Sequence, residues 1–144
     1  PQNTPIFLRY TTHIADRSMY NTPNTWGIYL LKLICDYMES RGGVPWIQKI
    51  NEEKAARLYG AIDASAFWRS PVEKESRSIM NVVWRLPSEA LEEQFVAQAK
   101  KEGLIGLKGH RSVGGIRASL YNAVPLEAVD ALVSFMKEFE RKNG

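Results

Sequence analysis

Apolar residues change their period along this chain, and that change limits what it can fold into. Trp26, Leu30, Ile34, Tyr37 and Met38 recur at helical spacing, with Asn24 or Thr25 able to cap the run and Gly42-Gly43 to stop it. A second helix is predicted at once: Pro45 suits its first turn, Ile47, Ile50, Leu58 and Ile62 make its stripe, and it fades near Ala64. Period two then takes over from Ile79 to Leu86, where Met80, Val82, Trp84 and Leu86 share a face. Ser88 caps a helix carrying Leu91, Phe95 and Ala99, which ends at Gly103. Ile116 to Tyr121 reads as a strand, and Pro125 opens a last helix whose core face is Leu126, Val129, Leu132, Val133, Met136 and Phe139. Arg141 and Lys142 suit the negative end of its dipole. Shorter strands are predicted at Ile6 to Tyr10, Phe67 to Ser70 and Leu104 to Leu107.

This order implies an α+β fold, a small sheet with helices packed on one side. The first strand has no obvious partner among the later ones. Together with a start at Pro1 rather than Met, it reads as the edge of a larger domain whose remainder lies upstream.

A chain of 144 residues can bury a real core, and 44% hydrophobic with 24% charged residues excludes a disordered tail. No apolar run approaches the roughly 20 residues of a membrane span, the longest being broken by Lys32, and no secretory leader pattern opens the chain. A lone Cys35 forbids an internal disulfide and favours a reducing, cytoplasmic setting; its place in the run Leu30 to Met38 predicts a small buried hydrophobe. His13 has no second metal-ligand residue at useful spacing, and no metal site is predicted. The net charge of +3 is too mild for a nucleic-acid signature. Trp26, Trp46, Trp68 and Trp84 are scattered as packing residues rather than set out as a stacking platform.

One segment departs from the even mixing of charges. Lys100 to Arg117 carries five Lys and Arg residues against the single acid Glu102, and within it lies Gly109-His110-Arg111-Ser112-Val113-Gly114-Gly115-Ile116-Arg117. An arginine fork gives a phosphate or carboxylate two parallel hydrogen bonds, and an imidazole adds another donor. Gly109, Gly114 and Gly115 permit the positive backbone angles that would fold His110 and Arg111 round one anion and let backbone N–H groups approach it. Arg117 sits on the strand face opposite Ile116, Ala118 and Leu120, where a rigid element would hold it as a carboxylate clamp. Spacing alone leaves open that these are solvated surface cations.

The run LKGHRSVGGIRASLYNAVPLEAV, from Leu107, resembles the carboxy-terminal signature of the phosphoserine aminotransferases. Met19-Tyr20-Asn21-Thr22-Pro23 is similar to that family's Asn-Thr-Pro stretch, and Arg77 to Asn81 to a strand start in the family. The likeness covers essentially the whole chain but less than half of a family member.

The resemblance implies a fold-type I enzyme dependent on pyridoxal 5'-phosphate, acting as a homodimer with its cofactor site at the subunit interface. It implies amino transfer between O-phosphoserine and 2-oxoglutarate, giving 3-phosphohydroxypyruvate and glutamate in serine biosynthesis; many bacterial relatives also serve pyridoxine biosynthesis. On this likeness residues 1–41 end a large cofactor-binding domain, contributing its last strand and helix, and residues 42–144 form a small substrate-binding domain. His110 and Arg111 match the family's phosphate-side residues, Arg117 its carboxylate-binding arginine, and Asn21 and Thr22 residues that reach the cofactor phosphate of the other subunit. Asn24 stands where many relatives have a second proline. The family's Schiff-base lysine lies upstream of every residue here, so no catalytic residue is expected in this chain, and Lys108 only adds positive potential. The alternative is a stand-alone, non-catalytic module that binds a phosphorylated amino acid.

Overall fold

The structure, a computed structural model, describes residues 3–144 and divides into two compact units, one ending at Gly43 and one running Val44–Gly144. The first is helical. The strand predicted at Ile6 to Tyr10 is instead a 3-10 turn, Ile6–Leu8, followed by α1, Tyr10–Ala15. An apolar run of three residues cannot distinguish a strand from a helical turn by period. With no strand to pair with, its backbone closes on itself: Leu8 N–H donates to the Pro5 carbonyl at 2.9 Å and Arg9 N–H to the Ile6 carbonyl at 3.2 Å. His13 donates from Nε2 to the Phe7 carbonyl at 2.7 Å.

α2, Thr25–Ser40, begins where the Asn24 side chain accepts a hydrogen bond from Gly27 N–H at 3.0 Å. It contains no buried residue, so Cys35 is exposed rather than buried as its apolar neighbours suggested. Trp26 is exposed as well, whereas Trp84 and Trp68 are deep in the core.

The second unit is the α+β fold the periods predicted. α3, Gly43–Asp63, buries Ile47, Ala55, Leu58 and Ile62. β1, Asn81–Trp84, pairs antiparallel with β2, Ile116–Ser119, in the register Val82↔Ala118 and Val83↔Arg117. α4, Glu89–Lys101, starts at Ser88, whose hydroxyl accepts from Leu91 N–H, and α5, Leu126–Asn143, buries Val129, Leu132, Met136 and Phe139. Of the other predicted strands, Phe67 to Ser70 keeps a single bridge, Arg69↔Arg85, and Leu104 to Leu107 forms none, the bridge next to it being Lys108↔Ile116. Phe95 on α4 is the hub of the core, meeting Trp84, Trp68 and Phe139 edge-on with centroids 6.2, 5.7 and 5.1 Å away.

Among the polar ties that hold α3 to the rest of this unit are those of Lys54 and Asp63. Lys54 is fully buried, and its Nζ donates to the carbonyls of Tyr121 at 2.8 Å, Val124 at 3.1 Å and Leu120 at 3.3 Å. The ammonium therefore satisfies the backbone where β2 ends, although burial pulls its pKa below the ordinary value. At the end of α3, Asp63 takes the Arg77 fork at 2.7 and 2.8 Å, and Arg77 also lies over the Tyr59 ring, 4.6 Å from its centroid.

Lys54→Met should cost roughly 1–3 kcal/mol by stranding buried carbonyls, read as a lower urea midpoint; an unchanged midpoint would contradict the tie. The Arg77 fork holds the Asp63 carboxyl below its ordinary pKa of 3.8. A carboxyl depressed in the native state stabilises it above the unfolded pKa and loses that contribution as pH falls. Asp63→Asn should thus cost up to about 1 kcal/mol at neutral pH, and the gap between variant and parent should close as the parent's carboxyl protonates below pH about 4.

Candidate anion-binding site

The loop between the Lys108 bridge and β2 is shaped by its glycines, though not all for the reason the sequence suggested. Gly114 and Gly115 take φ of +75° and +74°, the left-handed region where a side chain is strained. Gly109 does not. It is needed because a Cβ there would stand 2.0 Å from the Gly114 carbonyl oxygen. The strands of the loop close over that spot: Gly109 N–H donates to the Gly115 carbonyl at 2.8 Å, and Gly114 N–H to the His110 carbonyl at 2.8 Å. Those two amides are thereby spent inside the loop. Those two are not available to an anion, and His110 and Arg111 bring side-chain donors to the same loop.

His110 and Arg111 project from this turn and wall one groove of about 400 Å³ between the loop and α4. The His110 ring is oriented by Ser112. Ser112 N–H can only donate, and it reaches Nδ1 at 3.3 Å, with the Ser112 hydroxyl 2.7 Å from the same nitrogen. Nδ1 is therefore the acceptor, and Nε2 is left as the outward donor. Arg111 is exposed and makes no ion pair among the described residues. The α4 wall carries Glu89 and Glu93, so an anion here would sit against the loop rather than the helix.

Arg117 is placed by β2. Ile116, Ala118 and Leu120 are buried, and Arg117 turns to the opposite face, half-buried, with its Nε shielded from water and without a hydrogen-bond partner. It is not on the wall of the groove that His110 and Arg111 share. Asn21 and Thr22 belong to the first unit, exposed in the non-helical stretch ahead of α2.

Reading the sequence for function missed Arg85 and Glu92. Arg85 Nε pairs with Glu92 at 2.7 Å and its Nη1 donates to the Val113 carbonyl at 2.9 Å, so a cation from β1's end grips the loop backbone. Glu92 is buried, and its carboxylate also accepts from Leu86 N–H at 3.3 Å. A signal was present: Glu92 stands three residues before Phe95 and seven before Ala99, on the apolar stripe of α4.

The sequence profile of the class-V aminotransferases matches residues 3–132. The chain belongs to this family. A phosphoserine aminotransferase of Niallia circulans is 50% identical over the whole chain, which covers 40% of that protein. One of Geobacillus kaustophilus is 53% identical over 99% of the chain and 40% of its own length. Among solved structures, the phosphoserine aminotransferase of Bacillus circulans subsp. alkalophilus superposes with a TM-score of 0.92 at 49% identity, covering all of this chain and 40% of that one. A phosphoserine aminotransferase from Trichomonas vaginalis, described as bound to pyridoxal phosphate, gives 0.84 at 39% identity over 95% of this chain and 39% of that one. The chain thus spans about two fifths of the length of the relatives it matches.

Gly109→Ala should displace the turn, because a Cβ there would meet the Gly114 carbonyl oxygen at 2.0 Å and the Gly115 carbonyl oxygen at 2.6 Å, and the latter is tied to Gly109 N–H. Loss of the local amide protection at Gly114, with the core amides of α4 and α5 still slow to exchange, is the expected hydrogen-exchange pattern.

Proposed function

We propose that this chain is the carboxy-terminal part of a phosphoserine:2-oxoglutarate aminotransferase, a cytoplasmic homodimer of serine biosynthesis that uses pyridoxal 5'-phosphate. The observation that carries the reading is 50% identity to such an enzyme over the full extent of the chain. Residues 1–41 then complete a large cofactor-binding domain, and residues 42–144 form the small substrate-binding domain. No observation favours the stand-alone binding module.

In the intact enzyme the cofactor supplies an electron sink for proton removal at the amino-bearing carbon. This chain's task is to bind and orient. Asn21 and Thr22 suit the cofactor's phosphate, since an amide and a hydroxyl are donors and both are exposed in the non-helical stretch before a helix start. His110 Nε2 and the Arg111 fork present donors to the substrate's phosphate. Arg117, on a strand whose other face is locked in the core, receives the carboxylate, which a shared paired fork holds in one orientation. Two anionic ends gripped by separate elements leave the reacting carbon between them with little rotational freedom. The exposure and lack of ion pairs of Arg111 support this: a guanidinium already neutralised by a neighbour would be a poor anion receptor.

In the intact dimer, Arg117→Ala should lower kcat/KM for phosphoserine by the equivalent of roughly 2–5 kcal/mol, the penalty for leaving a desolvated carboxylate unpaired. Arg111→Ala should raise KM for phosphoserine. Steady-state assay of amino transfer to 2-oxoglutarate checks both, and an unchanged KM in the two variants would overturn the reading.

A further inference from the structure

Arg85 is a cation that the proposed binding roles do not use, yet it is the residue that the loop rests on. Its side chain is three-quarters buried and spans two acceptors, the Glu92 carboxylate through Nε at 2.7 Å and the Val113 carbonyl through Nη1 at 2.9 Å. The double glycine lies flat against it. A Cβ at Gly115 would be 2.7 Å from Arg85 Cδ, and one at Gly114 would be 3.3 Å from Nη1. Among the described residues, it is the one side chain from outside the loop shown donating to the backbone of residues 109–115. Its own position is fixed twice, by the Glu92 pair and by its backbone, which exchanges hydrogen bonds with Arg69 at 2.8 and 3.0 Å. Glu92 in turn is held on α4 by burial and by the Leu86 N–H.

The geometry points to Arg85, locked by Glu92, as a positioning residue that holds the His110–Arg111 turn in the form able to receive a phosphate. Inside the turn, Gly109 N–H bonds the Gly115 carbonyl, Val113 and Gly114 N–H both bond the His110 carbonyl, and Ser112 bonds the His110 ring. Among the described residues, the one hydrogen bond from a side chain outside the turn to its backbone is at the Val113 carbonyl, three residues from His110 and two from Arg111. Freeing that carbonyl lets the turn sample other shapes, and the substrate must then spend binding energy to select the competent one. A positioning role through the phosphate contacts therefore falls on KM for phosphoserine and spares kcat. Glu92 carries a second consequence. Without Arg85 its buried carboxylate would face the groove uncompensated and repel the incoming anion.

This inference rests on the reading of His110 and Arg111 as the phosphate-side residues, and the test separates the two. Arg85→Met keeps the aliphatic stem against Gly115 and removes the fork; Arg85→Lys keeps the charge but cannot serve both acceptors; Glu92→Gln keeps an acceptor for Leu86 N–H and unlocks Arg85. All are assayed in the intact, cofactor-loaded enzyme beside Arg111→Ala. Arg85→Met is expected to raise KM for phosphoserine about tenfold with kcat within about twofold, Arg85→Lys to fall between it and the parent, and Glu92→Gln to raise KM as well. Combining Arg85→Met with Glu92→Gln should add less than the sum of the two, since both act on one linkage. If Arg111→Ala raises KM while Arg85→Met does not, the positioning role is overturned and the phosphate assignment stands. Additive effects, or a fall in apparent kcat in step with lost folded protein at unchanged KM, also overturn it. If Arg111→Ala itself leaves KM unchanged, the phosphate assignment fails and takes the positioning role with it. Should Arg85→Met not fold, Arg85→Lys and Glu92→Gln decide on the same criterion.

Discussion

The pairing of β1 with β2 over Phe95 sets where every charged group of the site can go. Ile116, Ala118 and Leu120 are buried in the same core as Val82 and Trp84. Because side chains alternate along a strand, that burial forces Arg117 to the other face. The same register, Trp84↔Ile116, puts Arg85 one step beyond the paired residues, beside the glycines that precede β2. Slipping the pairing by one residue would bury Arg117 and expose Ile116 and Ala118, at a cost of several buried apolar side chains and one unpaired charge. Arg85 and Arg117 are thus placed by apolar contacts they do not themselves make.

Legibility in the sequence followed the length of the periodic signal. α2, α3, α4 and α5 span several turns each, and their stripes and caps placed them well, down to Asn24 and Ser88 as capping side chains. The failures were all runs of four or five residues. Ile6 to Tyr10 became helical turns, Phe67 to Ser70 contributes one bridge, and Leu104 to Leu107 contributes none, the bridge falling on Lys108. Such runs satisfy either period, and only the presence of a partner edge decides between them. Cys35 shows another limit: an apolar stripe announces that a face will be covered, not that this chain covers it.

The site itself was readable where a residue type had one plausible use, and hidden where the use depended on a distant partner. Gly114 and Gly115 were legible because positive φ is a local demand. Gly109 is required by a carbonyl five residues away, which no local rule exposes. Lys54 and Glu92 are a middle case. Each sits on an otherwise apolar stripe, between Ile47, Leu58 and Ile62 on α3 and beside Phe95 and Ala99 on α4. A charged residue there must either spoil the core or find a partner in it. Its place on the stripe marks it out, while the partner, three carbonyls for Lys54 and Arg85 for Glu92, comes only with the fold.

Pairing divides the cations of the second unit by task. Arg57 is matched to Glu53 and Asp130, Arg77 to Asp63, Arg85 to Glu92 and Arg141 to Glu138. Arg69, Arg111 and Arg117 have no carboxylate among the described residues. A guanidinium that already shares its fork gains little from a second anion, because the first has taken the geometry and most of the field. Unpaired ones keep both. Exposure alone would not separate them, since Arg57 and Arg141 are solvated and yet committed. What separates them is that the fold supplies a counter-charge at every position where an arginine ties elements together. On either side of the glycine turn, among the described residues, Arg111 and Arg117 have none, which is the feature the proposed anion-binding role rests on.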